Sequence, residues 1–180
     1  MRRREFIKLT ASAPVAWPFR ARAQQSGAIR RVGALMNRTA NEPQASSFVG
    51  AFAQGLAELG WTIGRNLRIE YRWGADDVDL ERRYAAELVA LAPDVILAAG
   101  TLSVAASQRV TRTLPIVFVN VTDPVGAGFV DSLAQPGGNT TGFMLFEYSL
   151  SGKWLELLKQ IAPSVTRVAV FRDQIGRAHV

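Results

Sequence analysis

The stretch Asp94–Gln108, DVILAAGTLSVAASQ, contains the pattern that decides the fold. Its apolar run VILAA is typical of a strand buried on both faces, and Gly100 ends it. Thr101 and Ser103 follow, at the start of an alanine-rich segment that predicts a helix. This order is typical of the ligand-binding edge of an open α/β sheet, where free N–H groups of the helix suit a carboxylate. Thr101 and Ser103 are then candidate donors; the alternative is that one of them only caps the helix.

Strands and helices alternate on both sides of this stretch. The residue 67–73 segment alternates apolar and polar residues, which favours an edge strand. The whole pattern predicts an α/β fold with a doubly wound parallel sheet, followed by only the start of a second unit. Predicted strands span residues 31–36, 67–73, 95–99, 116–121, 140–146 and 167–171, and predicted helices span 44–59, 80–91, 104–110, 125–134 and 151–161.

The charge of the chain is concentrated in its first residues. The 180 residues carry a net charge of +6, and residues 1–23 contribute +5 of it, from six basic residues and one acidic residue. Because the remainder is nearly neutral, the basicity does not indicate a nucleic-acid partner. The chain has no cysteine, which excludes disulfides, thiolate catalysis and a lipidated anchor.

The first 23 residues have the features of an export signal. Arg3–Lys8, RREFIK, matches the twin-arginine pattern R-R-x-F-x-K, and a mildly apolar stretch too short to span a bilayer follows it. Ala21-Arg22-Ala23 is an A-x-A cleavage site that predicts a mature start at Gln24. These features predict twin-arginine export to the periplasm of a Gram-negative cell; the alternative is a basic disordered tail.

Motifs for metal, cofactor or catalysis are weak. Asp76, Asp77 and Asp79 suit the N-terminus of a helix better than a metal site. The run Gly126-Ala127-Gly128 lacks the third glycine of a dinucleotide fingerprint, because Asp131 occupies that position. With no Walker loop, nucleophile elbow or paired carboxylates, we predict no cofactor, no metal and no catalytic residue.

The last six residues, IGRAHV, resemble the translation of a sequencing adapter. We therefore expect the natural protein to continue past Gln174, with residues 175–180 artefactual. The single histidine, His179, falls in this tail and receives no role.

Several segments together resemble the periplasmic solute-binding proteins of ABC importers, of the tryptophan or tyrosine type. The segments are RVGAL at the first strand, FxxGLxELGW at 52–61, NLRIEYRW at 66–73, VILAAGT at 95–101, PIVFVNVTDPVGAGFVDSLAQPGGNTTGF at 115–143 and KWLELLKQIAPSVTRVAV at 153–170. The resemblance implies a type I periplasmic-binding fold, in which two Rossmann-like lobes close on a solute. It divides the chain into a signal peptide (1–23), a first lobe (24–146), a crossover with the start of a truncated second lobe (147–174), and the tail (175–180).

The resemblance also implies a ligand site at the ends of the first, third and fourth strands. The carboxylate would bind Thr101, Ser103 and nearby amides, and the ammonium would bind Asn120 or Asp123. Phe146 or Tyr148, at the crossover, would contact an aromatic ring. The alternatives are that Asn120 and Asp123 only build the turn before Pro124, and that the two aromatic residues only pack in the core or hinge. The implied ligand-binding residues are Asn37, Arg38, Thr39, Gly100, Thr101, Ser103, Asn120, Thr122, Asp123 and Tyr148.

The expected partners are a small solute, most simply an aromatic amino acid, and an ABC permease in the inner membrane. The full-length protein is expected to be a monomer that binds no nucleic acid. Two other functions remain open from the residues: an α/β enzyme acting on a small carboxylate, and the ligand-sensing domain of a regulator. Neighbouring genes for a permease and an ATPase would favour transport.

Overall fold

The computed structural model describes residues 28–145 and 150–169. Strands and helices alternate as the sequence predicts, and most observed bounds lie within three residues of the expected ones. The elements are β1 (Arg30–Met36), α1 (Pro43–Glu58), β2 (Leu67–Trp73), α2 (Val78–Ala90), β3 (Val95–Ala99), α3 (Thr101–Val110), β4 (Ile116–Val121), β5 (Thr140–Met144) and α4 (Ser151–Ile161).

The five strands form one parallel sheet in the order β2-β1-β3-β4-β5. The predicted edge strand, β2, is an edge strand. Since all strands are parallel, their carboxyl ends meet at one edge of the sheet, and the loops that follow them lie together. The sheet order reverses direction between β1 and β3, the position where open α/β sheets form a crevice.

Helices cover both faces of the sheet, which confirms the doubly wound prediction. On one face, Leu35 packs with α2 and α3 through Leu88 and Ala106. Farther along that face, Ile96 and Phe118 pack with Val104 of α3. The opposite face carries Ala34, Met36 and Ala99, and α1 lies over it.

The predicted helix at 125–134 is wrong. The segment after β4 is instead a series of turns, in which the amides of Ala127, Gly128 and Phe129 donate to carbonyls three to five residues earlier. Gly128 has a φ of 74°, a left-handed conformation that ends any helical turn at that residue. Phe129 and Val130 are nevertheless buried against β4, so the segment covers the sheet as a helix would.

The end of the described chain differs from the prediction as well. Of the strand expected at 167–171, residues 167–169 have no strand conformation and the other two lie outside the described residues. A lone strand has no neighbour to accept its hydrogen bonds. α4 forms as predicted, but its apolar side chains are largely exposed. Within the described residues, no helix combines the length and apolarity needed to cross a bilayer.

Candidate functional site

The predicted site loops lie side by side at the carboxyl edge of the sheet. Ala99 of β3 is in register with Met36 of β1 and with Val119 of β4, so the residues that follow these strands are neighbours. Thr101 and Asn120 therefore lie on the same edge. Of the five described non-glycine residues with a left-handed backbone, four lie here: Ala75 and Asp76 after β2, and Asn120 and Asp123 at the end of β4. Gly100, after β3, is left-handed as well. Such strain is typical of functional loops.

The loop between β3 and α3 requires glycine for two reasons. Gly100 has a φ of 95°, and a Cβ there would lie 2.7 Å from the side-chain amide of Asn37. Gly100 donates its N–H to the Val119 carbonyl, which fixes the start of α3.

The first turn of α3 leaves donors available. In the part of the chain that the structure describes, the amides of Thr101, Leu102 and Ser103 donate to no carbonyl or side-chain oxygen. The Thr101 hydroxyl, which is partly exposed, also forms no hydrogen bond within those residues. Neither predicted hydroxyl caps the helix, since its N-cap residue is Gly100 and has no side chain. Three amides and a hydroxyl at the positive end of a helix form a suitable place for a carboxylate.

Ser103 occupies a different environment from Thr101. Its side chain is fully buried, and its Oγ lies 2.9 Å from the Ala99 carbonyl and 3.0 Å from Oε2 of Glu81. The expectation that this hydroxyl donates to a solute therefore disagrees with its position, because no solute reaches it.

The side chains of the residues after β1 form contacts with other residues of the chain. Asn37 donates to Asp76 Oδ1 at 3.1 Å and packs on Gly100. Arg38 pairs with Glu42 at 2.9 Å, and its guanidinium lies 5.5 Å from the centre of the Phe48 ring. These contacts leave Asn37 and Arg38 partly exposed at the edge.

Thr39 belongs to the entrance of α1. Its backbone N–H and hydroxyl both donate to Glu42 Oε1, at 3.0 and 3.3 Å. These bonds and the nearby Arg38 lower the pKa of Glu42. Thr39 is exposed, but its side chain is already engaged.

The loop after β4 contains two open polar groups and one engaged group. Asn120 is exposed, with a φ of 55° that asparagine tolerates well, and Thr122 is partly exposed. Neither side chain forms a hydrogen bond within the described residues. Asp123, by contrast, accepts the Gly126 N–H at 2.9 Å. Its carboxylate builds the turn around Pro124, the alternative that the sequence left open.

A groove of about 390 Å³ runs from this edge along the sheet, under α1. Asn37, Arg38 and Asn120 line its polar end. Apolar side chains line the remainder, among them Phe48 and Phe52 of α1, Leu97 of β3, Val117 and Val119 of β4, and Phe143 of β5.

The structure thus brings together nine of the ten predicted site residues, and Tyr148, with Phe146, lies outside the described residues. Two groups at this edge were missed: Asp76, which holds Asn37, and Glu81, which contacts Ser103. The burial of Glu81 could not be predicted from the sequence, because a glutamate in the first turn of a helix is common and usually exposed. The aspartate run does begin a helix, since Asp77 caps α2 by accepting the amides of Asp79 and Leu80.

The architecture is that of a doubly wound α/β lobe, and comparisons with known proteins agree. A family model described as "ABC transporter substrate binding protein" matches residues 39–175. A "Tyrosine-binding protein" of Clostridioides difficile (strain R20291) is 34% identical over 119 residues, which are 66% of this chain and 34% of the relative.

Solved structures agree as well. A conserved domain protein from Vibrio cholerae superposes with a TM-score of 0.66 and 31% identity, covering 76% of this chain and 45% of that one. The ABC domain from Streptococcus pneumonia in complex with L-Trp has a TM-score of 0.64 and 26% identity, covering 74% and 44%.

This chain belongs to the family of ABC transporter substrate binding proteins. The predicted resemblance and fold class are therefore confirmed, and so is the non-enzyme prediction, since the family and the relatives are substrate-binding proteins and not enzymes. The chain spans less than half the length of the relatives it matches.

Proposed function

We propose that this protein is the periplasmic solute-binding component of an ABC importer, and that its solute is an aromatic amino acid or a related small carboxylate. The observation that carries the proposal is the first turn of α3 at the carboxyl edge of the sheet, where the partly exposed Thr101 and Leu102 have amides, and Thr101 a hydroxyl, without a hydrogen bond within the described residues. Family membership supports the transport role. Similarity to a tyrosine-binding protein and to a protein solved in complex with L-Trp supports an aromatic amino acid.

Different residues at the edge would bind different groups of the solute. The amides of α3 and the Thr101 hydroxyl would hold the carboxylate, and Asn120 with Thr122 would accept from the ammonium. Asn37 and Gly100 would shape the floor, because they pack on each other. Arg38, Thr39 and Asp123 would border the site while keeping their internal bonds. Tyr148 at the crossover would contact the ring.

The remaining contacts would come from a second lobe. We propose that residues 147–174 begin that lobe and that the natural protein continues past Gln174. A cleft between two lobes encloses most of a small ligand, so the affinity depends on both walls. The closed, loaded protein would then deliver the solute to an inner-membrane permease as a monomer.

Calorimetry on the protein in its full natural length tests the solute. We expect binding of L-tryptophan or L-tyrosine, and a higher melting temperature in its presence. Thr101→Ala should weaken binding by roughly 3- to 10-fold, the usual effect of one lost hydrogen bond. Thr113→Ala is the matched control, because Thr113 is exposed beyond the other end of the sheet, before β4. Binding of no aromatic amino acid or aromatic acid would contradict the proposal.

Export is tested separately with the first 23 residues. Fused to a folded reporter, they should direct it to the periplasm through the twin-arginine pathway. Replacing Arg3 and Arg4 together by lysine should retain the reporter in the cytoplasm with the same net charge. Equal export of both fusions would show that the twin-arginine pathway does not recognise this motif.

A further inference from the structure

Glu81 lies buried beneath the proposed carboxylate site. It belongs to the first turn of α2, and only 1% of its surface is exposed. Its side chain crosses to α3 and packs on Gly74 of the loop after β2, where an added Cβ would lie 2.4 Å from the carboxyl group. Gly74 therefore leaves space for the Glu81 carboxyl group. This group connects α2 with α3 and with the loop after β2.

The hydrogen bonds around Ser103 indicate that Glu81 carries a proton. A serine hydroxyl has one hydrogen to donate. Yet the Ser103 Oγ lies within hydrogen-bond distance of two acceptors, the Ala99 carbonyl and Glu81 Oε2. Both contacts are hydrogen bonds only if Glu81 donates to Ser103 while Ser103 donates to Ala99. The other carboxyl oxygen, Oε1, is buried and has no partner among residues 28–145 and 150–169, which a neutral acid tolerates better than an anion.

Burial, the larger effect, and the Asp76 carboxylate both favour the protonated form of Glu81. They raise its pKa, a hydrogen bond donated by Ser103 to the anion would lower it, and the net pKa is about 7. Among the described residues no arginine or lysine pairs with Glu81, and the caps and ion pairs of α2 itself lie elsewhere. Asp77 is engaged by helix amides, Arg82 lies against Asp79, and Arg83 lies against Glu87.

We propose that Glu81 is a positioning residue of the binding edge, and that its ionisation weakens the capture of a carboxylate solute. The inference rests on the proposed function. As a neutral acid, Glu81 holds Ser103 and so fixes the first turn of α3. As an anion it loses the bond that it donates, and its negative charge competes with the solute for the positive end of α3.

The test compares three forms of the full-length protein from about pH 5.5 to about pH 8.5. The ammonium of the solute begins to titrate at the upper end of this range, an effect that all three forms share. L-tryptophan and L-tyrosine are titrated by calorimetry into the wild type, Glu81→Gln and Glu87→Gln. The glutamine amide donates to Ser103 as the neutral acid does, but it cannot ionise. Glu87 is an exposed glutamate of the same helix and serves as the control. The titration of the Glu81 carboxyl is followed by carbon NMR.

We expect the affinity of the wild type and of Glu87→Gln to fall roughly fivefold across this range, while Glu81→Gln keeps the high affinity at every pH. The Glu81 resonance should titrate near neutrality without any solute. Titration in the usual range of glutamate, or equal pH dependence in all three forms, would overturn this inference and leave the proposed function intact. Absence of binding at every pH would overturn both.

Discussion

Gly100 is the residue on which the geometry of the edge depends most directly. Its left-handed backbone turns β3 into α3, and its missing side chain leaves the space that Asn37 fills. Gly100→Ala should therefore lower the free energy of unfolding by about 1–3 kcal/mol, through backbone strain and the displaced amide. Urea denaturation measures the change. Gly50→Ala is the control. Gly50 lies in α1, no atom of the described residues comes within 4 Å of an added Cβ, and alanine there should be neutral or stabilising.

A comparison of two serines of α3 distinguishes the effect of hydrogen bonding on stability from the effect of burial. Ser103 and Ser107 are both fully buried, but only Ser103 contacts a carboxyl group, and the Ser107 hydroxyl has no partner within the described residues. Ser103→Ala should cost about 1–3 kcal/mol of unfolding free energy, because it leaves Glu81 without a partner. Ser107→Ala should be nearly neutral. Equal losses for the two variants would mean that burial alone matters here.

Glu81 gives the stability a defined pH dependence. Because its pKa is raised in the folded protein, to about 7, the folded state keeps a proton that the unfolded chain releases at lower pH. Its contribution to stability is therefore present in acid and is lost as the pH rises through about 7. The free energy of unfolding of the wild type should fall relative to that of Glu81→Gln, by at most about 1.4 kcal/mol per pH unit. Parallel curves from about pH 5 to about pH 8 would contradict this.

At the scale of an element, α2 is fixed at its start by Asp77. That side chain accepts hydrogen bonds from the amides of Asp79 and Leu80 at 2.9 Å. Glu81 follows directly after Leu80, so the cap also fixes the position of Glu81. Asp77→Ala should cost about 1 kcal/mol. Asp79→Ala should cost less than half as much, since its side chain is exposed and contributes the helix-end charge and a 3.4 Å contact with Arg82. Thermal unfolding of the two variants measures the difference, and equal shifts would exclude the cap.

For the whole molecule, exposed apolar surface is the dominant feature. Phe143 of β5 is 73% exposed, and Ile161 of α4 is 81% exposed with other apolar residues beside it. Such surface favours association. We expect the 180-residue chain to associate as its concentration rises, and Ile161→Lys to reduce this without changing stability. Gln160→Lys adds the same charge to the exposed polar neighbour and should have no effect. Sedimentation velocity distinguishes the two; equal association would exclude α4 as the contact.

Much of this protein was determined by sequence pattern alone. The apolar run VILAA, the glycine after it and the alternating strand at 67–73 predict a parallel sheet with β2 at its edge, because periodicity and burial are local properties of the chain. The same pattern places Thr101 and Asn120 at one edge. It failed at 125–134, where a helix was predicted but turns form, with a left-handed backbone at Gly128.

The tertiary structure alone decided which polar groups face outward. Ser103 and Thr101 have the same local signal, yet one is buried on Glu81 and the other is open, because the packing of α2 against α3 selects between them. Asp123 and Asn120 likewise differ only in the folded turn around Pro124, where the Asp123 carboxylate accepts the Gly126 N–H and Asn120 stays exposed. Burial of a carboxyl group and the count of its hydrogen bonds depend on residues distant in the chain, so no local pattern contains them.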